Sequence, residues 1–261
     1  MKYLKLWLSF AKISVMAEME YRLNMIIKVI SDVIWYCTQL SIFEVLFYHA
    51  PQIAGWTIYS MRVFMGVLFL VDSFYMILMN ENFEQSSTLV RKGELDFILV
   101  KPVNSQFMYS FRKVNAAYFI NTLIVLCYLT WAILNLETPP HWSQFVTTFF
   151  LLIAGLSVLY SLRFFFAALN IIFTNANSLT YVWYQFYRLA TRPHAFYPSW
   201  LRLFILTVFP VALISSVPAT NLVQGLDLRL VFGAFAIAAT LVFLTTRFWG
   251  FVLRRYSSAS S

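Results

Sequence analysis

The chain has 261 residues, of which 61% are hydrophobic, 19% aromatic and only 11% charged, and its mean hydropathy is +0.71. Soluble domains are nearer half apolar and a quarter charged, so this balance excludes an ordinary soluble enzyme and selects an all-α polytopic membrane protein, with room for about six helices at roughly 20 residues per span. The formal charge of +8 does not mark a nucleic-acid partner, because the basic residues flank apolar segments instead of forming a polar face.

Residues 1–22 interleave Lys2, Lys5 and Lys12 with Leu4, Trp7, Leu8, Phe10 and Ala11. Lys5, Ser9 and Lys12 share a helical face, and Lys12 interrupts the apolar core that a cleaved signal peptide needs. An amphipathic helix on the cytoplasmic leaflet is expected. Four spans follow, at 24–48, 57–80, 107–136 and 144–171. The connections HAPQIAGW and ETPPHWSQ, after the first and third, carry no Lys or Arg. Arg91, Lys92, Lys101, Arg112 and Lys113 follow the second span, and Arg254 and Arg255 follow the last, at 228–252. The positive-inside rule therefore places both termini and the 81–106 loop in the cytoplasm.

An even number of crossings leaves one more between 172 and 227. Pro198, Pro210 and Pro218 divide 198–221 into pieces of about ten residues, each too short to span. The aromatic stretch 174–192 is thus the expected fifth span, and residues 193–222 form an outer-leaflet hairpin. Arg188, Arg192 and Arg202 then lie outside, against the charge rule, which keeps 198–217 open as the alternative fifth span. Cys37 and Cys127 fall inside apolar segments and read as buried, unreactive thiols. His49, His141 and His194 stand in separate loops without metal-ligand spacing, and no nucleotide-binding motif is present. No catalytic residue, metal or cofactor is expected; any ATP would be bound by a partner.

The loop opens with ENFEQSSTLVRK at 81–92, a helical segment with Glu84 near its start and Arg91 near its end, as the helix dipole favours. Gly93 ends it, and Leu95, Phe97, Ile98 and Leu99 form an apolar face. A solvated linker and a docking element for a cytoplasmic partner both fit. The run RKGELDFILVKPVNSQF at 91–107 resembles the signature loop of ABC-2-type transporter permeases, in which a Gly-x-Leu-acid run precedes a Pro in the region that touches the ATPase. The amphipathic start, the six spans and the broken segment YPSWLRLFILTVFP at 197–210 are similar to that family over nearly all of residues 1–261, taken as one transmembrane domain. The tail RRYSSAS is similar to that of a subfamily with paired permeases beside one ATPase.

The resemblance implies a bacterial inner-membrane exporter subunit. It would pair with a second permease, identical or homologous, and be driven by cytoplasmic ABC ATPase subunits that contact Glu84, Arg91, Glu94, Leu95, Asp96 and Phe97. The substrate is not named by the sequence, although the aromatic content fits an amphipathic molecule. A non-transporting membrane anchor is the competing function. Asp32, Asp72 and Arg163 each lie about 12 Å inside the cytoplasmic end of a span. They form either an Asp–Arg cluster that locks the bundle or an acidic lining for a cationic substrate.

Overall fold

The computed structural model describes residues 2–173, 177–225 and 227–256. Residues 174–176, at the start of the expected fifth span, and 257–261, which carry most of the tail, lie outside these. Helix α1 (Lys2–Glu20) buries no residue. Tyr21, at φ −108° and ψ 54°, breaks it from α2 (Arg22–His49), whose Tyr36, Phe43 and Phe47 are buried. The connection that follows is a small hairpin, β1 (Gln52–Ile53) with β2 (Trp56–Thr57). Ala54 and Gly55 both have positive φ, 48° and 82°, which two-residue hairpin turns require. The Thr57 and Ser60 side chains then form a reciprocal cap on α3 (Ile58–Tyr75).

Helix α3 is buried almost all round, from Met61 to Ser73, and is the axis on which the bundle is assembled. A π-helical turn, Met76–Asn80, leads from it into α4 (Glu81–Glu84) and α5 (Ser86–Arg91). Gly93 at φ 68° reverses the chain into α6 (Glu94–Leu99), and α7 (Ser105–Phe111) follows. The expected third span, 107–136, is two elements in the structure. Residues 112–116 leave the helix between α7 and α8 (Ala117–Leu134). The Asn82 side chain clamps this break, accepting from the Lys113 N–H at 3.0 Å and donating to the Lys113 carbonyl at 2.8 Å. The Asn115 N–H donates to Ile77 O, in the π turn. Two backbone irregularities thus satisfy each other.

Helix α9 (Trp142–Ile172) packs along α13 (Leu228–Arg255), and Ala154 on the first and Ala234 and Ala238 on the second are buried. Between them the aromatic stretch is shorter than a membrane span. Helix α10 (Asn177–Tyr187) has 11 residues and continues as a 3-10 turn, Arg188–Thr191. The proline-divided region folds as α11 (Ser199–Thr207) and α12 (Ser216–Gln224), joined through Pro210 and a 3-10 turn at Val211–Leu213. Pro218 stands in the first turn of α12, where its missing N–H costs nothing. The backbone after Pro210 lies directly on α9: a Cβ at Gly155 would meet the carbonyl oxygens of Ile214 and Leu213 at 2.7 and 2.8 Å. Only glycine permits that approach.

Among the described residues, five segments are long and apolar enough to cross a membrane: Arg22–His49, Ile58–Arg91, Ala117–Leu134, Trp142–Ile172 and Leu228–Arg255. Cys37 and Cys127, expected to be buried, are exposed on the flank of the bundle. Their helices α2 and α8 turn apolar faces outward, and a thiol there is as compatible with lipid as with a core.

Candidate functional site

The short helices after α3 are pinned to the bundle from one side. The Tyr109 hydroxyl donates to the Ala167 carbonyl at 3.0 Å, and its ring stacks on Trp249 at 5.0 Å. Trp249 Nε1 donates to Ser105 Oγ, and Gln106 donates to the Tyr160 hydroxyl. Asn170 on α9 donates to Ser86 Oγ on α5. Helices α5 and α7 are therefore bonded to α9, and α7 also to α13.

Helix α6 sits on this base with two faces of opposite character. Leu95 is 0% and Ile98 3% exposed, both within the main core, whereas Phe97 is 69% and Val100 79% exposed. Burying a leucine contributes about 1.5–3 kcal/mol, which fixes the rotation of so short a helix. The apolar face expected as a unit is thus divided. Leu95 cannot meet a partner because it is core, and the residues turned outward are Phe97 and Val100, with Arg91 and Glu94 exposed beside them and Asp96 partly exposed. An isolated helix of six residues gives too little periodicity to tell these faces apart from sequence.

Glu84 is also placed differently from its expected role. Its Oε1 accepts from Arg163 Nη2 at 2.8 Å and from the Tyr184 hydroxyl at 2.8 Å. Arg163 is fully buried, and its Nε donates to the Tyr75 hydroxyl at 3.1 Å. The ion pair of Arg163 is with Glu84 and joins α4 to α9. Asp32 and Asp72 have other partners: Asn121 donates to Asp32 at 2.7 Å, and Tyr187 donates to Asp72 at 3.2 Å. The three-residue Asp–Arg cluster does not form. The helix rotations aim the two aspartates at α8 and α10, and the intramembrane charges are met by amide, phenol and one carboxylate. No signal in the sequence marks Tyr75, Tyr184 and Tyr187 for these tasks, since each lies in an aromatic-rich stretch.

At the other side of the segment, the Glu18 carboxylate accepts from the Ala117 N–H at 2.7 Å and pairs with Lys28 at 3.4 Å. It caps α8 from α1 and favours the positive end of that helix. Among the loop histidines, His141 helps to cap α9 with Gln144, and His194 Nδ1 lies 2.7 Å from Ser216 Oγ. Among the described residues no group of three His, Cys, Asp or Glu side chains could hold a metal ion.

The profile of the ABC-2 family transporter proteins matches residues 33–260, from α2 onward. The chain belongs to the ABC-2 transporter family. Membership makes it a multi-pass permease component of an ABC transporter, the transmembrane part that works with an ATP-binding partner. No curated protein and no solved structure gives a match. Within the ABC-2 match fall the α4–α6 segment, Asp72 and Arg163, while Asp32 stands one residue before it.

Proposed function

We propose that the chain is the permease subunit of an ATP-driven exporter of the bacterial inner membrane, coupled to cytoplasmic ATPase subunits through α6. The observation that carries this reading is the pair Phe97 and Val100, exposed on a helix anchored by buried Leu95 and Ile98. An apolar pair held outward on a rigid base resembles the anchor of an interface hot spot, and Arg91 and Glu94 supply a polar rim. Force applied to α6 reaches α5 and α4, and through Glu84 and Arg163 it reaches α9. The irregular turn Met76–Asn80 lets α4 shift against α3 without breaking the long helix.

The topology that supports this has six crossings with both termini and α4–α6 cytoplasmic. The lysine- and arginine-free connections stand on one side, and Arg91, Lys92, Lys101, Arg112 and Lys113 on the other. The fifth crossing is α10 with its 3-10 extension. Tyr184 meets Glu84 at the level of Arg163, Ala190 accepts from Ser215, and the adjoining Ile214 meets Gly155. The chain thus runs antiparallel to α9, and the α11–α12 hairpin closes its outer end. A second permease, identical or homologous, covers the sparsely buried α2, and the route between the two takes an amphipathic compound past Asp32. Purification of the complex from native membranes tests the reading. An ATP-binding subunit should co-purify and hydrolyse ATP at a rate that depends on the permease. A permease that elutes alone, with no associated hydrolysis, contradicts it.

A further inference from the structure

Beneath α1, where it meets the start of α2 and the 112–116 break, lies a cavity of about 420 Å³, within the range of small-molecule sites. Phe10, Ile13, Met25 and Val114 give it an apolar wall, and Lys28, Arg112 and Lys113 line its polar end together with Glu18 and Glu81. Two of the cations are already matched, Lys28 by Glu18 at 3.4 Å and Lys113 by Glu81 at 3.3 Å. Among the cavity's own lining charges, three cations against two carboxylates leave Arg112 without an ion pair, and Glu94 acts on it from outside the lining. Its Nε is buried and has no hydrogen-bond partner among the described residues. Burial lowers the pKa of this guanidinium, against the pull of Glu94 and Glu81. A buried guanidinium N–H without a partner is costly, and the planar fork of this partly buried arginine suits the paired oxygens of a phosphate or a carboxylate.

We propose that this cavity holds the headgroup of an anionic phospholipid, with the phosphodiester on Arg112 and the acyl chains leaving past Ile13 and Met25. The position favours a lipid over free phosphate. Ile13 and Tyr21 line the cavity and are themselves exposed, so an apolar path leads from the cation to the surface that α1 and α2 present to the bilayer. Helix α1 is the natural cover: Ser14 Oγ accepts from the Val114 N–H at 3.2 Å, and Glu18 caps α8, so a headgroup seated here ties α1 to the base of the coupling segment. The inference does not depend on the ATPase contact or on the direction of transport.

Native mass spectrometry of the full chain, released from detergent with dioleoyl phosphatidylglycerol or dioleoyl phosphatidylcholine, tests it. The wild type should retain phosphatidylglycerol in preference to phosphatidylcholine, and Arg112→Gln should weaken that retention about tenfold. Lys101→Gln, an equal loss of charge outside the cavity, should leave retention unchanged. Ala17→Trp fills the space with Arg112 intact and should abolish the preference, which gives an independent reading if Arg112→Gln folds poorly. Equal retention by wild type and both cavity variants would overturn the proposal. So would displacement of the lipid by millimolar inorganic phosphate, which would make the site one for the free anion.

Discussion

Arg163 is completely buried, and its guanidinium relies on Glu84 and Tyr75. Removing Arg163 loses its charge-assisted bond to Glu84 and its bond to Tyr75 from the core, and hydrogen bonds to charged groups contribute about 1.5–3 kcal/mol each, although Glu84, 37% exposed, can turn to water. Arg163→Leu should therefore lower yield and the midpoint of a thermal melt in detergent substantially. Asp72→Asn should cost under about 1.5 kcal/mol, because the Tyr187 hydroxyl can donate to an amide oxygen as it does to the carboxylate. If Asp72 and Arg163 were direct partners, the two substitutions would be about equally damaging. His194 supplies a test by pH. Burial, with Arg202 nearby, holds its imidazole below the ordinary value near 6.5. A group whose folded pKa is depressed contributes stability above its unfolded pKa and loses it as pH falls through the folded value. The wild-type melting midpoint should accordingly drop as pH is taken below about 6.5, and His194→Gln should flatten that dependence. An unchanged profile in the variant would remove His194 as the cause.

The α11–α12 segment is seated on α9 by the hydrogen bonds between Gln144, Thr148 and Asn221 and by one close backbone approach at Gly155. In Gly155→Ala the added methyl group would strike the carbonyls of Leu213 and Ile214, a backbone clash that no rotamer relieves. Overpacking of this kind costs about 1–3 kcal/mol, so the variant should melt early. Gly250→Ala, where a methyl group would meet nothing within 4 Å, should be neutral or slightly stabilising. A single cysteine at Ser199, an exposed position at the start of α11, should react with a membrane-impermeant thiol reagent from outside. The exposed Cys37 and Cys127 are replaced beforehand. Labelling only after the cytoplasmic side is opened would instead make 198–217 a crossing. The division of 198–221 into two short helices was legible because Pro210 punctuates the sequence, whereas three other features were not. The β1–β2 turn uses Ala54 in a conformation that alanine rarely adopts. The break at 112–116 is held by Asn82 from another helix. The Arg163–Glu84 pair joins residues 79 positions apart, and its formation depends on helix rotations that apolar periodicity in a fully buried helix does not fix.

Across the whole molecule, the bundle is well packed around α3 and α9, while α2 and α13 leave most of their surface uncovered. The all-α, multi-pass class and the short polar segment after the second span could be read from hydropathy, because the bilayer imposes span length. Which side chains of that segment face a partner could not, since Leu95 and Phe97 lie two residues apart in one short helix and only the packed structure separates them. This separation makes the central claim testable at one position. The measurement is nucleotide hydrolysis and subunit retention by the purified permease–ATPase complex carrying Phe97→Ser. Phe97 makes no core contact, so the permease should insert and melt as the wild type does. ATPase retention and permease-dependent hydrolysis should both fall by about tenfold or more, as for the loss of an aromatic anchor worth about 2 kcal/mol. Wild-type retention and hydrolysis, in a variant that melts normally, would contradict coupling through α6.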